Sequence, residues 1–393
     1  MSRFFVSTPL GFEERTLADL KAIWPHLLGK DAKPHGLPCT EVQVLEGGLE
    51  FEADLFIGLQ LNFFLKTANR VLLRMASFKA RDLPKFYQKF KSLPWLEYLA
   101  SANVEWEVAA KTSRLNNEKR LQESAEQALT EIFANIKPSA QPCGSIFIRM
   151  EDDVCTISLD TTGEHLHKRG WTVLKGEAPL RETIASFLIK ELVDGDTDLS
   201  EVTLFDPMMG AGTFLTEARS LAAGQFVRPF AFQKWKKAPK LFLSNSFAFN
   251  YSLPPAKTFK KFIGKDINSE MLEVVEKNFQ EVERQISLVQ KKAFSKADLD
   301  VSQGDSLMGP SLAAENLWMI VNPPYGERLP TASGEGLKGL AHELCSRYTP
   351  RRIGLLYPDK EKVQPVPQGY RRLKEIKINN GGIRCLYTVL TRL

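Results

Sequence analysis

The residues best suited to chemistry form a proline-rich turn, Asn322-Pro323-Pro324-Tyr325, directly after an apolar run. An exocyclic amine of a nucleobase is a poor nucleophile, because its lone pair is delocalised into the ring. The side-chain oxygen of Asn322 and the carbonyl of Pro323 can accept the two amine hydrogens, which turns the lone pair toward a methyl donor. The prolines fix φ and hold that carbonyl in place, and Tyr325 offers a ring on which a base can stack. These four residues are therefore the predicted catalytic residues for methylation of an amine.

A second motif, DPMMGAGT at 206–213, lies between an apolar strand and a helix. Its glycines let the backbone pass close to a ligand, and the helix N-terminus adds free N–H groups to the same crevice. The spacing D-P-x-x-G-x-G departs from the dinucleotide pattern G-x-G-x-x-G and lacks its third glycine. S-adenosylmethionine (SAM) has no pyrophosphate and does not need that cradle. We therefore expect the loop to bind SAM through Asp206, Pro207, Gly210, Gly212 and Thr213.

Two further carboxylates are candidates for the adenosyl end of SAM. Asp266, in GKDIN, ends a strand, where a carboxylate can accept both ribose hydroxyls; taken alone it is also typical of a helix cap. Asp305, in GDSL, lies where a third strand should end and can accept from the adenine amine, although a turn aspartate has the same appearance. The predicted SAM set is completed by Ile267, beside Asp266, and by Asn322.

The elements around these motifs predict how they are positioned. From about 177 to 357, strands alternate with helices, which is typical of a parallel, doubly wound sheet. An alternating segment, the turn NNGG and IRCLYTVLTRL then predict a closing antiparallel hairpin. Together they indicate an α/β, Rossmann-like class I SAM-dependent methyltransferase domain. The first half mixes strands and helices in α+β fashion, with a hairpin expected at Gly47-Gly48.

Composition limits the remaining possibilities. The chain has 393 residues, 43% of them apolar, which is enough for two domains with real cores. A formal net charge of +5 permits an RNA partner without requiring one. The five cysteines include no CxxC pair, and no run reaches the length of a membrane span, so we expect a cytoplasmic protein. His165 and His167 have no further ligands at zinc spacing, so no metal is predicted.

At these residues the sequence resembles the THUMP-domain RNA guanine-N2 methyltransferases, which include a bacterial large-subunit rRNA enzyme and archaeal tRNA enzymes. The motifs in the second half are SLDTTGEHLHKRGW (158–171), APLRETIA (178–185), DPMMGAGTF, FQKW (232–235) and NPPYGERL (322–329). In the first half, GGLEFEA and LKTANRVLLRMASF resemble the family's ferredoxin-like and THUMP RNA-binding region.

The resemblance implies a domain organisation and a reaction. It places a ferredoxin-like and THUMP RNA-binding region at 1–165 and the methyltransferase domain at 166–393. It implies methylation of a guanine N2 in structured RNA, with rRNA favoured over tRNA, and adds Leu180 and Arg181 near the methionine end of SAM. Since the chain ends soon after the closing hairpin, we expect no second, fused methyltransferase.

Other interpretations stay open. Methylation of adenine N6 or of a protein glutamine would use the same Asn-Pro-Pro-Tyr chemistry, but neither explains an RNA-binding first half. A non-catalytic RNA-binding assembly factor would not need the complete motif. The insertion at 224–261, with KWKKAPK, FAFNY and KTFKK, is either a lip that stacks bases and binds phosphates or a solvated flap.

Overall fold

The computed structural model describes the chain except residues 40, 175–179, 195–197, 222, 245–257, 290–295, 309–311, 313, 325–336 and 362–365. The chain forms two compact units, and neither is one continuous stretch. Unit 1 comprises Met1–Pro9, Glu13–Leu166 and Gln225–Ser252, and unit 2 comprises Leu10–Phe12, His167–Gly224 and Leu253–Leu393. The sequence suggested two contiguous domains. In the structure, however, Gln225–Ser252, the inserted segment, belongs to unit 1.

Unit 1 is built on one seven-stranded sheet with helices. Its elements are β1 (Ser2–Ser7), α1 (Glu13–Ile23), β2 (Gln43–Leu45), β3 (Gly48–Ala53), α2 (Leu55–Phe64), β4 (Arg70–Lys79), α3 (Leu83–Lys91), α4 (Trp95–Tyr98), β5 (Glu105–Lys111), α5 (Glu118–Ile132), β6 (Ser145–Glu151) and β7 (Val154–Asp160). The strand order is β2-β3-β1-β4-β7-β6-β5. Only the pair β5–β6 is parallel.

Local chemistry explains where several of these elements begin. The side chains of Asp54, Asp82 and Asn117 accept a backbone N–H in the first turn of α2, α3 and α5, at 2.8, 2.8 and 3.0 Å. Short polar caps of this kind satisfy N–H groups that a helix leaves unpaired at its start. The expected hairpin at Gly47-Gly48 is confirmed: β2 and β3 flank it, and Gly47 has a φ of +78°.

The inserted segment is held in unit 1 by aromatic packing on α2. The ring of Phe63 lies 5.3 Å from Phe226, 5.0 Å from Phe230, 6.0 Å from Phe232 and 5.9 Å from Phe242. All five rings are buried. The proposed stacking lip is therefore wrong for 225–244, because these rings form core and present no free face to a base. The motif FAFNY and the start of KTFKK lie outside the described residues.

Unit 2 contains a second seven-stranded sheet. Its elements are α6 (Glu182–Val193), β8 (Thr203–Asp206), α7 (Thr213–Ser220), β9 (Lys261–Asp266), α8 (Glu270–Val289), β10 (Asp298–Gln303), β11 (Leu317–Val321), α9 (Leu337–Tyr348), β12 (Arg352–Pro358), β13 (Tyr370–Asn380) and β14 (Ile383–Arg392). The order is β10-β9-β8-β11-β12-β14-β13. β8 to β12 are parallel and β14 is antiparallel to both neighbours, so the expected terminal hairpin is confirmed.

The central strands of unit 2 are apolar because both faces are covered. All five residues of β11 are buried. Trp318 and Ile320 belong to one apolar cluster, while Leu317, Met319 and Val321 belong to the other. Such continuous apolar runs are typical of parallel sheets with helices on both sides. Within the described part of the chain, no helix is long and apolar enough to cross a membrane.

We expect Phe232→Ala to lower the free energy of unfolding by about 3–5 kcal/mol, the usual effect of deleting a fully buried ring. Urea unfolding followed by tryptophan fluorescence measures this, with Trp235 close by as a reporter. The control is Lys234→Ala, an exposed position two residues away, where a change within about 0.5 kcal/mol is expected. Equal effects of the two substitutions would contradict the packing of this segment.

Candidate active site

The predicted site residues follow four neighbouring strands of unit 2. β10, β9, β8 and β11 are adjacent and parallel, so their carboxyl ends meet at one edge of the sheet. The connections from β8 lead to β9 on one side and, later, to β11 on the other. The crevice at such a switch of strand order is the usual ligand site of an open α/β sheet.

The loop after β8 has the backbone form that the sequence predicted. Gly210 and Gly212 have φ values of +47° and +75°, a region that favours glycine. A Cβ on Gly212 would lie 2.8 Å from the side chain of Val275 on α8, whereas a Cβ on Gly210 would meet nothing within 4 Å. Gly212 therefore permits close packing of the loop against α8, and Gly210 leaves open space beside the backbone. Thr213 begins α7 directly afterwards.

Asp266 ties this loop to the end of β9. Its Oδ2 accepts the Gly210 N–H at 2.9 Å, and its Oδ1 accepts the Asn268 N–H at 2.9 Å. Each carboxylate oxygen can accept a further hydrogen bond, as the two hydroxyls of a ribose require. The neighbouring Ile267 is 71% exposed. Such an apolar side chain open to solvent beside a polar cradle suits the flat face of an adenine.

Asp206 is a carboxylate in an unfavourable place. It is only 1% exposed at the end of β8, and Oδ1 accepts the Met208 N–H at 3.2 Å. Burial raises the pKa of this carboxyl to about 8, the Met208 hydrogen bond opposes the rise, and the charge of Asp266 adds to it. Perturbed acids of this kind concentrate at functional sites.

The turn after β10 is attached to the same loop. Asp305 Oδ1 accepts the Leu307 N–H at 2.8 Å, which forms the turn. The neighbouring Ser306 donates to the carbonyl of Pro207 at 2.7 Å, and Tyr348 on α9 donates to the Ser306 carbonyl at 2.8 Å. These contacts hold the turn that contains Asp305 against the β8 loop, and a contact of Asp305 with adenine stays a prediction.

The Asn-Pro-Pro turn begins directly after β11, the strand beside β8. Asn322 is half-buried, Pro323 is buried and Pro324 is exposed. The sequence also assigned a catalytic role to Tyr325, which lies outside the described residues. The turn therefore stands at the same sheet edge as Asp206 and Asp266.

The start of α6 contains one residue, Thr183, that the sequence interpretation passed over. Leu180 is buried in the apolar core, while Arg181 is exposed at the start of α6. Thr183, in the first turn, is 2% exposed, and its hydroxyl has no hydrogen-bond partner among the described residues. Buried hydroxyls are normally paired, so Thr183 is a candidate contact for a bound ligand.

Asn278 on α8 is a second residue that sequence reasoning missed. Its amide nitrogen donates to the carbonyls of Leu174 and Ala211, at 3.0 and 3.2 Å. Its oxygen accepts the N–H groups of Val173 and Leu174, at 2.9 and 3.0 Å. The sequence did contain a signal, because Asn278 occupies a helical stripe otherwise formed by Val275, Phe279 and Val282. A polar residue in such a stripe requires partners.

The sheet order, glycine loop and following acids define a class I SAM-dependent methyltransferase fold. A family model described as an RMKL-like methyltransferase domain matches residues 169–388, more than half of the chain, so the chain belongs to this family.

Curated relatives match almost the whole chain. The ribosomal RNA large subunit methyltransferase K/L of Psychromonas ingrahamii is 28% identical over 365 residues, covering 88% of this chain and 46% of that protein. A Synechocystis protein provisionally named an RNA methyltransferase is 28% identical over 366 residues, covering 89% of this chain and 90% of its own. The chain spans about half the length of the K/L relatives it matches.

Solved structures share the fold. SMU.472, determined in complex with SAH, has a TM-score of 0.75 at 22% identity and covers 100% of this chain and 98% of its own. TrmN from Thermus thermophilus has a TM-score of 0.68 at 16% identity, with both chains fully covered.

SAM is the cofactor of this methyltransferase class, and the residues present fit it. The open space beside Gly210, the paired carboxylate of Asp266 and the exposed Ile267 offer a backbone approach, a diol acceptor and an apolar surface. No group of three or more His, Cys, Asp or Glu side chains that could hold a metal occurs in the part of the chain that the structure describes.

We expect Asp206→Asn to stabilise the protein progressively as pH rises. The folded state keeps Asp206 neutral up to about pH 8, while the unfolded chain ionises it near 3.8. Its contribution to the free energy of unfolding is therefore present at low pH and lost as pH rises to about 8. The urea midpoint of the variant, relative to the native protein, should increase from about pH 5.5 to about pH 8.5.

The comparison variant is Asp198→Asn, which should lower the urea midpoint by an amount that does not change between about pH 5.5 and pH 8.5. The Ser200 N–H lowers the pKa of the Asp198 carboxyl. The ionised carboxylate therefore stabilises the folded state at every pH above the ordinary pKa of aspartate. A pH-independent difference between Asp206→Asn and the native protein would refute the buried-acid interpretation.

We expect Asn278→Leu to weaken SAM binding about ten- to a hundredfold, because buried groups left without partners cost about 1–3 kcal/mol. Gln285→Leu is the matched control on the same helix, since Gln285 donates to the Gly170 carbonyl at 3.0 Å and not to the loop. Calorimetric titration with SAM distinguishes them. Equal affinities for the two variants would remove the positioning role of Asn278.

Proposed function

We propose that this protein transfers a methyl group from SAM to the exocyclic N2 amine of a guanine in structured RNA, most directly the large-subunit rRNA. The observation that carries the proposal is the Asn-Pro-Pro turn after β11, at the sheet edge that also holds the glycine loop and Asp266. The likeness to rRNA large subunit methyltransferases K/L over 88% of the chain supports rRNA as the substrate.

The proposed division of labour assigns RNA binding mainly to unit 1. Its ferredoxin-like and THUMP character, implied by the sequence resemblance, supports a role in capturing RNA. Unit 2 then supplies the pocket into which the target base is placed. The base has to leave its stack to reach that pocket, as it does in other base-modifying enzymes.

In the proposed reaction, SAM when bound supplies an electrophilic methyl group. Asp206, Gly210, Gly212, Asp266 and Asp305 would hold the cofactor, with Thr183, Leu180 and Arg181 near its methionine end. Asn322 Oδ1 and the Pro323 carbonyl accept the two hydrogens of the guanine amine. They thereby orient its lone pair toward the methyl group and stabilise the charge that develops on nitrogen. Tyr325 is proposed to stack on the base.

The substrate is tested by mass spectrometry of rRNA and tRNA nucleosides from a strain that lacks the gene. Loss of N2-methylguanosine at one mapped rRNA position is the expected result. Loss of the same nucleoside from tRNA would indicate that tRNA is the substrate. Loss of N6-methyladenosine would indicate that the target amine is adenine N6. An unchanged nucleoside profile, with no methyl transfer by the purified protein, would favour a non-catalytic RNA-binding role.

We expect Asn322→Ala to slow single-turnover methyl transfer by about 10²–10³, since an aligned polar group at a transition state contributes roughly 3–4 kcal/mol. The affinity for SAM should fall far less than the rate does, because Asn322 is one of several predicted SAM contacts and the glycine loop and Asp266 are untouched. Asn135→Ala, an exposed position in unit 1, is the control. Rapid-quench transfer to the mapped RNA gives both rates, and native-like transfer by Asn322→Ala would overturn the assigned role.

A further inference from the structure

Residues 225–244 of the inserted segment account for the whole formal net charge of the protein, +5. Residues 225–244 include five basic residues and no acidic one. With 52 basic and 47 acidic residues in the full chain, the remainder has 47 of each. These 20 residues therefore carry a formal net charge of +5, and the rest of the sequence is neutral.

The structure separates this charge from the apolar part of the segment. Four lysines, Lys234, Lys236, Lys237 and Lys240, are exposed, and we call them the lysine face. The fifth cation, Arg228, is buried and donates to backbone carbonyls in the stretch 162–165, so its role is to hold the segment. The aromatic rings point inward and the lysines point to solvent.

The backbone of the lysine face is anchored to other elements of unit 1. Trp235 packs edge-on against Tyr98 at 5.1 Å, and the Lys236 N–H donates to the Tyr98 carbonyl at 3.1 Å. Lys236 Nζ lies 6.0 Å from the ring of Phe133. Lysines on an anchored backbone lose less freedom on binding than lysines of a mobile loop do.

An ion pair with Glu97 does not neutralise the lysine face. Lys237 forms an ion pair with Glu97 at 2.7 Å, in which both side chains are about half exposed. Exposed pairs of this kind contribute about 0–1 kcal/mol and are readily exchanged for another anion. Lys234, Lys236 and Lys240 have no acidic residue within the segment itself.

We propose that the lysine face binds the phosphate backbone of the RNA substrate. The proposal rests on the proposed function, in which the substrate is RNA. Lysine is a compact point charge that suits phosphate oxygens, and phosphate contacts provide affinity and register but not sequence. Because the rings are buried, the face positions RNA by charge and does not read its bases.

The test is the triple variant Lys234→Gln, Lys236→Gln, Lys240→Gln in the full chain, which leaves the Lys237–Glu97 pair intact. Filter binding to a 23S rRNA transcript is measured over a series of salt concentrations. We expect affinity near 0.1 M salt to fall about 10- to 100-fold and the slope of log affinity against log salt to decrease by about two, since each phosphate contact contributes about 0.7–0.9.

Two matched triples make the result specific. Lys234→Arg, Lys236→Arg, Lys240→Arg keeps the charge and should bind as the native protein does. Lys21→Gln, Lys119→Gln, Arg120→Gln removes the same charge from exposed positions elsewhere in unit 1 and should change affinity far less. If both glutamine triples weaken RNA binding equally, or if the first does not weaken it, the proposal that the lysine face binds RNA is contradicted.

Methyl transfer to the same transcript separates this proposal from the function on which it rests. If the native protein transfers no methyl group to rRNA or tRNA, the proposed function fails. If the native protein methylates the transcript and the first glutamine triple binds and methylates it equally well, only the proposed RNA-binding role of the lysine face is contradicted. Calorimetry with SAM checks that the triple variant retains an intact unit 2.

Discussion

The candidate site depends on how α8 and Asp266 hold a loop that has few side chains of its own. Asn278 donates to the Ala211 carbonyl, Val275 occupies the space where a Cβ of Gly212 would stand, and Asp266 accepts the Gly210 N–H. These three contacts fix three successive residues of backbone. A glycine-rich loop gains freedom to approach a ligand but loses entropy when ordered, so external contacts have to supply its shape. The geometry offered to SAM is therefore a property of α8 as much as of the loop.

Asp206 shows that this arrangement is not optimised for stability. An asparagine could accept the same Met208 hydrogen bond without placing an ionisable group in the core, so the fold alone does not require an acid at the end of β8. A buried carboxyl whose pKa is raised to about 8 lowers the stability of the folded protein at neutral pH. Natural proteins retain such costs at functional sites. A contact of Asp206 with the cofactor, as in the proposed function, would account for the acid at this position.

The sequence predicted unit 2 well because its signals are local. An apolar strand, a glycine turn and a helix occur in sequence order around Asp206, and the alternation of elements predicts which strand ends meet. Asn278 was missed because its partners, Leu174 and Ala211, lie 104 and 67 residues away in the chain. Its place in an apolar stripe signals that it has partners but does not say which. Likewise, the pKa of Asp206 depends on burial that no local pattern reports.

The inserted segment shows a different limit of sequence reasoning. A basic, aromatic composition is typical both of a stacking surface and of a strap whose rings pack inward, and only the partner surface decides between them. Phe63 on α2 provides that surface, more than 160 residues before the segment. In the sequence the segment lies between α7 and β9, the strand that ends in Asp266. One stretch of polypeptide thus links the lysine face of unit 1 to α7, which follows the glycine loop of unit 2, and to β9, whose Asp266 accepts the Gly210 N–H. The place of the segment in the sequence, between two elements of unit 2, therefore did not reveal that it packs in unit 1.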